Sequence, residues 1–116
     1  MDPTQAAHLL RRTEYVVRPA RLTALSQPDV TREQAVDDIL NVTVPVALPT
    51  YIDHDIDGEG YDQWVYAVQW WIDRMCDSPK PMLEKMTWFW HGHFCSSWDK
   101  VNSAKAMMAQ NKLFRD

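Results

Sequence analysis

One stretch constrains the chain more than any other: Pro79-Lys-Pro-Met-Leu-Glu-Lys-Met-Thr-Trp-Phe-Trp-His-Gly-His-Phe94. Pro79 and Pro81 punctuate its start, and because a residue before proline avoids the helical region, a new element is expected to begin at Pro81. Leu83, Met86, Phe89 and Trp90 then follow helical spacing, and Trp88 covers another side. A helix apolar nearly all round is normally buried on several sides. The rest of the chain must supply those partners.

The nearest partner is residues 61–76. Trp64, Val65, Val68, Trp71, Ile72 and Met75 keep the i, i+3, i+4, i+7 rule, and Asp62 can cap this helix or favour its positive end. Trp70 widens the apolar arc, which predicts more than one packed neighbour. The tryptophan row reads as core packing ahead of a ligand-stacking wall. Asp77-Ser-Pro79 makes a tight turn, so the two long helices should run antiparallel. All six tryptophans lie at or after Trp64, which places the main core in the second half.

The first half is a lighter lead-in. Asp2 or Thr4 can cap a first helix with Pro3 in its first turn, Ala6, Ala7 and Leu10 on one face, and Arg11 and Arg12 at its negative end. His8 reads as a surface or interface imidazole. Pro19 opens a second short helix reaching Leu25. Thr31-Arg-Glu-Gln34 is a capping box, followed by Ala35, Val36, Ile39 and Leu40 at helical spacing.

Residues 41–60 form a long connection. Val42, Val44 and Val46 alternate, which suits a short extended piece, but Pro45 lacks the donor a central strand needs. Asp53-His-Asp-Ile-Asp-Gly58 matches the first half of a calcium loop, with carboxylates at positions one, three and five and glycine at six. The second half fails, because Gly60 stands at the apolar position and Trp64 at that of the bidentate glutamate. A solvated acidic loop carrying His54 is the reading preferred.

Past Phe94, residues 95–100 are polar and turn-like, and Asn102 or Ser103 can cap a last helix with Ala104, Met107, Met108 and Phe114 on its apolar face. If Cys76 and Cys95 sit at opposite ends of a helix, they stand more than about 20 Å apart, which predicts free thiols. A hydrophobic fraction of 46% against 24% charged is that of a folded chain. A net charge of −4 argues against a nucleic-acid partner, and no apolar run approaches a membrane span. No export signal is visible, so the cytoplasm is the default compartment. The expectation is an all-α chain of about five or six helices, with a lead-in over 1–60 and aromatic core helices over 61–116.

The candidate chemistry is at the end of the central helix. Glu84, Trp88 and His91 share a face, and Glu84 could orient the His91 imidazole only if another element bridges the gap. In a helix His91 and His93 project about 200° apart and cannot chelate one ion; in an extended segment they would point the same way, joined by Cys95. Gly92 allows a helix end between them. Three readings stand: both imidazoles structural; a divalent-metal site at His91 and His93 completed by residues elsewhere; or general acid–base chemistry by His91 or His93, with Glu84 as a further catalytic candidate.

Several segments resemble the N-terminal region of the bacterial domain-of-unknown-function 1800 family. They are Ala6-Ala-His-Leu-Leu-Arg-Arg12, Trp71-Ile-Asp-Arg-Met75, Pro81 through Phe94, Asp99-Lys-Val101, and Met107-Met-Ala-Gln-Asn-Lys-Leu-Phe-Arg115. The resemblance implies a fragment of a longer, mainly helical protein, the remainder of which would be its first partner. It places His91, His93, Glu84 and Trp90 at signature positions and brings no reaction with it. The chain departs at Thr13-Glu-Tyr-Val-Val17, where a glycine-rich turn is usual, and at Cys95, where a small apolar residue is usual. Two functions follow as expectations: a helical scaffold or interaction domain, which can take a protein partner, or part of a metal-dependent or hydrolase-like enzyme using His91 and His93.

Overall fold

The computed structural model describes residues 1–43, 46–49 and 60–116. Among them are seven helices and no strand: α1 (Pro3–Thr13), α2 (Pro19–Leu25), α3 (Arg32–Leu40), α4 (Gly60–Asp77), α5 (Pro81–His93), α6 (Trp98–Val101) and α7 (Ala104–Leu113). The all-α class is as expected. The helix count exceeds expectation by α6, one turn closed by Lys100 and Val101 N–H groups donating to the Ser97 carbonyl. Val42 and Val46 carry no strand, while Val44, Pro45 and the acidic stretch Asp53 to Gly58, with His54, lie outside the described residues.

Local chemistry sets the helix starts. The Asp2 carboxylate accepts from the Thr4 and Gln5 N–H groups at 2.6 and 3.3 Å, with Pro3 in the first turn. Thr31 and Gln34 form the reciprocal capping box that opens α3. Pro19 and Pro81 head α2 and α5, and Ser103 accepts from Ala106 N–H at the start of α7. Asn102, at φ 47°, turns the chain between α6 and α7.

The helices pack as two groups. In the first, Ala6, Leu10, Leu25, Ala35 and Ile39 of α1 to α3 form one cluster, against which Met82 of α5 also packs. Buried Glu14 holds Arg21 at 3.1 Å, and Arg21 reaches Asp38 at 3.0 Å, which ties the three helices at their polar edge. In the second, α4 and α5 form a hairpin around buried Ser78. Arg74 meets Glu84 while Trp71 meets Trp88 and His91, so the pair runs antiparallel as expected. α7 lies across α4, with Ala67 and Met108 at the contact, and Trp64 stacks on Trp98 of α6 at 5.4 Å. Cys76 and Cys95 are free and exposed.

One expectation fails in detail. Of the apolar stripe of α5, Leu83 is buried and Met86 and Trp90 are half-buried, but Phe89, and Trp88 on the other side, are 54% and 58% exposed, while Glu84 and Thr87 are buried. α4 likewise buries Gln63 and Ala67 and leaves Ile72 half exposed. Across the α4–α5 seam the Arg74–Glu84 ion pair stands beside the contacts of Trp71 with Trp88 and His91, so charge and aromatic packing share it.

Candidate functional site

The seam has Glu84 at its centre. The residue lies in the first turn of α5, where a carboxylate suits the positive end of the macrodipole, and it is fully buried. Arg115, just beyond α7, donates from Nη1 to Oε1 at 2.7 Å and from Nη2 to Oε2 at 2.6 Å. This two-pronged pair is the strongest geometry open to a carboxylate. The Arg115 side chain is itself buried, with its guanidinium over the Trp70 ring at 5.3 Å. A second cation, Arg74, places Nε 3.6 Å from Glu84 Oε1, close enough to pair electrostatically but too far for a hydrogen bond. The Tyr15 hydroxyl donates to the Glu84 carbonyl at 3.3 Å. Burial, then the negative charge of Glu84, pushes that phenol up to about 12.

The same arginine reaches the histidine. Arg115 Nε donates to Asn111 Oδ1 at 2.7 Å, and Asn111 Nδ2 lies 3.3 Å from His91 Nε2. With its carbonyl committed to a group that only donates, buried Asn111 can offer His91 only a donor. His91 Nε2 is therefore the acceptor, and the hydrogen-bond network assigns the imidazole proton to Nδ1. Trp71 and Phe114 pack on the ring at 4.7 and 4.9 Å between centroids. Burial, assisted by the positive charge of Arg115, lowers the His91 pKa from 6.5, so the ring is neutral at neutral pH.

The element that joins Glu84 to His91 is thus α7 with Arg115 just beyond its end. Neither Asn111 nor Arg115 is foreseen as a partner from the sequence. A signal was present: Ala104, Met108, Asn111 and Arg115 follow i, i+4, i+7, i+11, one face of a helix carrying two polar groups at its end.

His93 has different surroundings. α5 runs through Gly92 and ends at His93, so the histidines keep their helical divergence and the extended alternative does not occur. His93 is exposed, stacks on Phe89 at 6.1 Å and meets Trp90 and Phe94 edge-on. Trp90 stacks on Phe94 at 5.7 Å. Cys95 turns its thiol to the Gly92 carbonyl at 3.0 Å, and His8 is exposed on α1. Among the described residues, no group of three or more His, Cys, Asp or Glu side chains is placed to hold a metal ion.

The sequence model of the family described as "Protein of unknown function (DUF1800)" matches residues 8–116. No curated protein and no solved structure matches the chain. No described helix is long and apolar enough to cross a membrane. The family match takes in α2 to α7, most of α1 and every member of the Glu84, Arg115, Asn111 and His91 network, and the chain belongs to the DUF1800 family.

Proposed function

We propose that this chain is a helical scaffold that presents an interaction surface to a protein partner, with Glu84 and His91 as structural groups. The observation that supports this is the bonding of the buried carboxylate. Both oxygens of Glu84 are taken by Arg115, and the Nε2 lone pair of His91 is taken by Asn111, which Arg115 orients in turn. A base or ligand needs a lone pair directed at open space, whereas Glu84 is fully buried against Arg115 and the Nε2 lone pair of His91 faces Asn111, and both groups hold α7 to the α4–α5 hairpin. The two-pronged Arg115–Glu84 pair and the Asn111–His91 bond fix how α7 lies on that hairpin.

The test compares the full chain with its His91→Ala and His93→Ala variants by elemental analysis and thermal melting. The expected result is no stoichiometric metal in any of them, a lower melting temperature for His91→Ala, and little change for His93→Ala. Stoichiometric metal, lost in both variants while the fold survives, would overturn the scaffold reading. It would support the metal-dependent or hydrolase-like alternative at His91 and His93.

A further inference from the structure

We infer that the outer face of α5 is a docking groove for an acidic amphipathic helix of a partner protein, an inference that rests on the scaffold reading above and names its partner. The groove runs between the end of α1 and the outward side of α5 and encloses about 750 Å³. Its apolar wall is Met82, Met86, Trp88 and Phe89, and its cations are Arg12 and Lys85. Three features specify the occupant.

The first is length and shape. Met82, Met86, Phe89 and His93 follow i, i+4, i+7, i+11 along α5, a stripe about 16 Å long at the helical rise. Such a ridge pattern seats a second helix of about three turns, lying about 8–10 Å away axis to axis. The space over Gly92 at the end of the stripe is open, since a Cβ built there meets nothing within 4 Å.

The second is the kind of apolar surface. Trp88 and Phe89 expose more than half of their area to solvent, although a neighbouring tryptophan, Trp71, lies only 5.8 Å from Trp88. Aromatic rings are the side chains that anchor protein interfaces, and the two methionines adapt their shape to whatever apolar side chain enters.

The third is charge. The chain carries 16 acidic against 12 basic residues, yet no carboxylate lines this groove. Arg12 is exposed and makes no ion pair among the described residues. Lys85 is already positioned, its Nζ donating to the Arg11 and Glu14 carbonyls at 3.2 and 3.1 Å, so little side-chain freedom is lost when an anion approaches. A basic helix would be repelled here and an acidic one steered in.

The experiment uses the full chain and two synthetic helical peptides of about 15 residues, roughly four turns, that share one leucine stripe. One is flanked by glutamate and the other by lysine; binding is followed by tryptophan fluorescence and calorimetry. The glutamate peptide should bind at least about tenfold more tightly than the lysine peptide. Arg12→Glu should abolish that preference, and Phe89→Ala should weaken binding about tenfold, with the melting temperature of both variants unchanged. Equal affinity for the two peptides, binding of neither, or full binding by Phe89→Ala would each overturn the inference. So would Phe89-dependent binding to phosphatidylglycerol vesicles without peptide binding, which would make the face a lipid contact. Phe89-dependent self-association in sedimentation, again without peptide binding, would replace the partner with a second copy. None of these outcomes moves the metal content or the melting of His91→Ala, so the scaffold reading stands or falls separately.

Discussion

Glu84 is the residue whose environment departs furthest from its type, since a carboxylate with no exposure survives only with its charge matched. Glu84→Gln leaves Arg115 buried beside an amide and Arg74 without its counter-charge, and should cost about 3–5 kcal/mol in urea denaturation. Replacing the pair together, Glu84→Leu with Arg115→Met, should return stability to within about 1–2 kcal/mol of the native chain, because Arg74 keeps a path to water. A double variant as unstable as the single one would show that the pair acts through more than charge balance. His91 gives a second prediction. Burial, then the positive charge of Arg115, holds its imidazole below the ordinary 6.5 in the folded chain, so the unfolded chain takes up the proton first as pH falls. The His91 contribution is complete above about pH 6.5 and is lost as pH falls from there through the lower folded value. Melting temperature should therefore fall over that window more steeply for the native chain than for His91→Gln, whose carbonyl can still accept from Asn111.

Helix ends and helix faces were legible to different degrees. Asp2, Pro19, Thr31, Pro81 and Ser103 all start helices where their local chemistry says they should. A cap acts within about one turn, so its effect is readable without knowing the neighbours. Thr31→Ala should cost about 1 kcal/mol, measured by urea denaturation, because it removes one arm of the capping box and exposes the other. The buried faces were not legible in the same way. Hydrophobic periodicity puts Phe89 and Ile72 inside, and the fold leaves both about half exposed while burying Gln63, Glu84 and Thr87. A period identifies a face but not its neighbour, and the neighbours of Glu84 are the guanidinium groups of Arg115 and Arg74, which an apolar side chain could not balance.

At the scale of the whole molecule the chain is drawn out to 57 × 24 × 20 Å, with a radius of gyration of 16.9 Å where about 13 Å suits a compact chain of this length. Its apolar core is correspondingly divided, one cluster in α1 to α3 and another between α4 and α7. Polar ties join them: Lys80 to Asp38, Lys85 to the α1 carbonyls, Arg18 to the Ser78 carbonyl and Tyr15 to Glu84. Leu10→Ala, at a fully buried site in the first cluster, should cost about 2–5 kcal/mol. Hydrogen exchange should show the loss of protection confined to α1, α2 and α3, with α4, α5 and α7 keeping theirs. A uniform loss across the chain would mean that the polar ties make both clusters one cooperative unit.

The sequence by itself determined what is local: an all-α chain, the starts of its helices, the antiparallel hairpin forced by the short turn at Ser78 and Pro79, and cysteines that stay free. Capping, proline geometry and helical rise act over a few residues, so they can be read in order along the chain. Only the tertiary structure decided the candidate site. The spacing of Glu84 and His91 showed only that they could act together through a third element; that element is Arg115 and Asn111, which lie 31 residues from Glu84 and 20 from His91 along the chain. No propensity records which cation will balance a buried carboxylate, because that charge is supplied by whichever helix the rest of the fold lays against it.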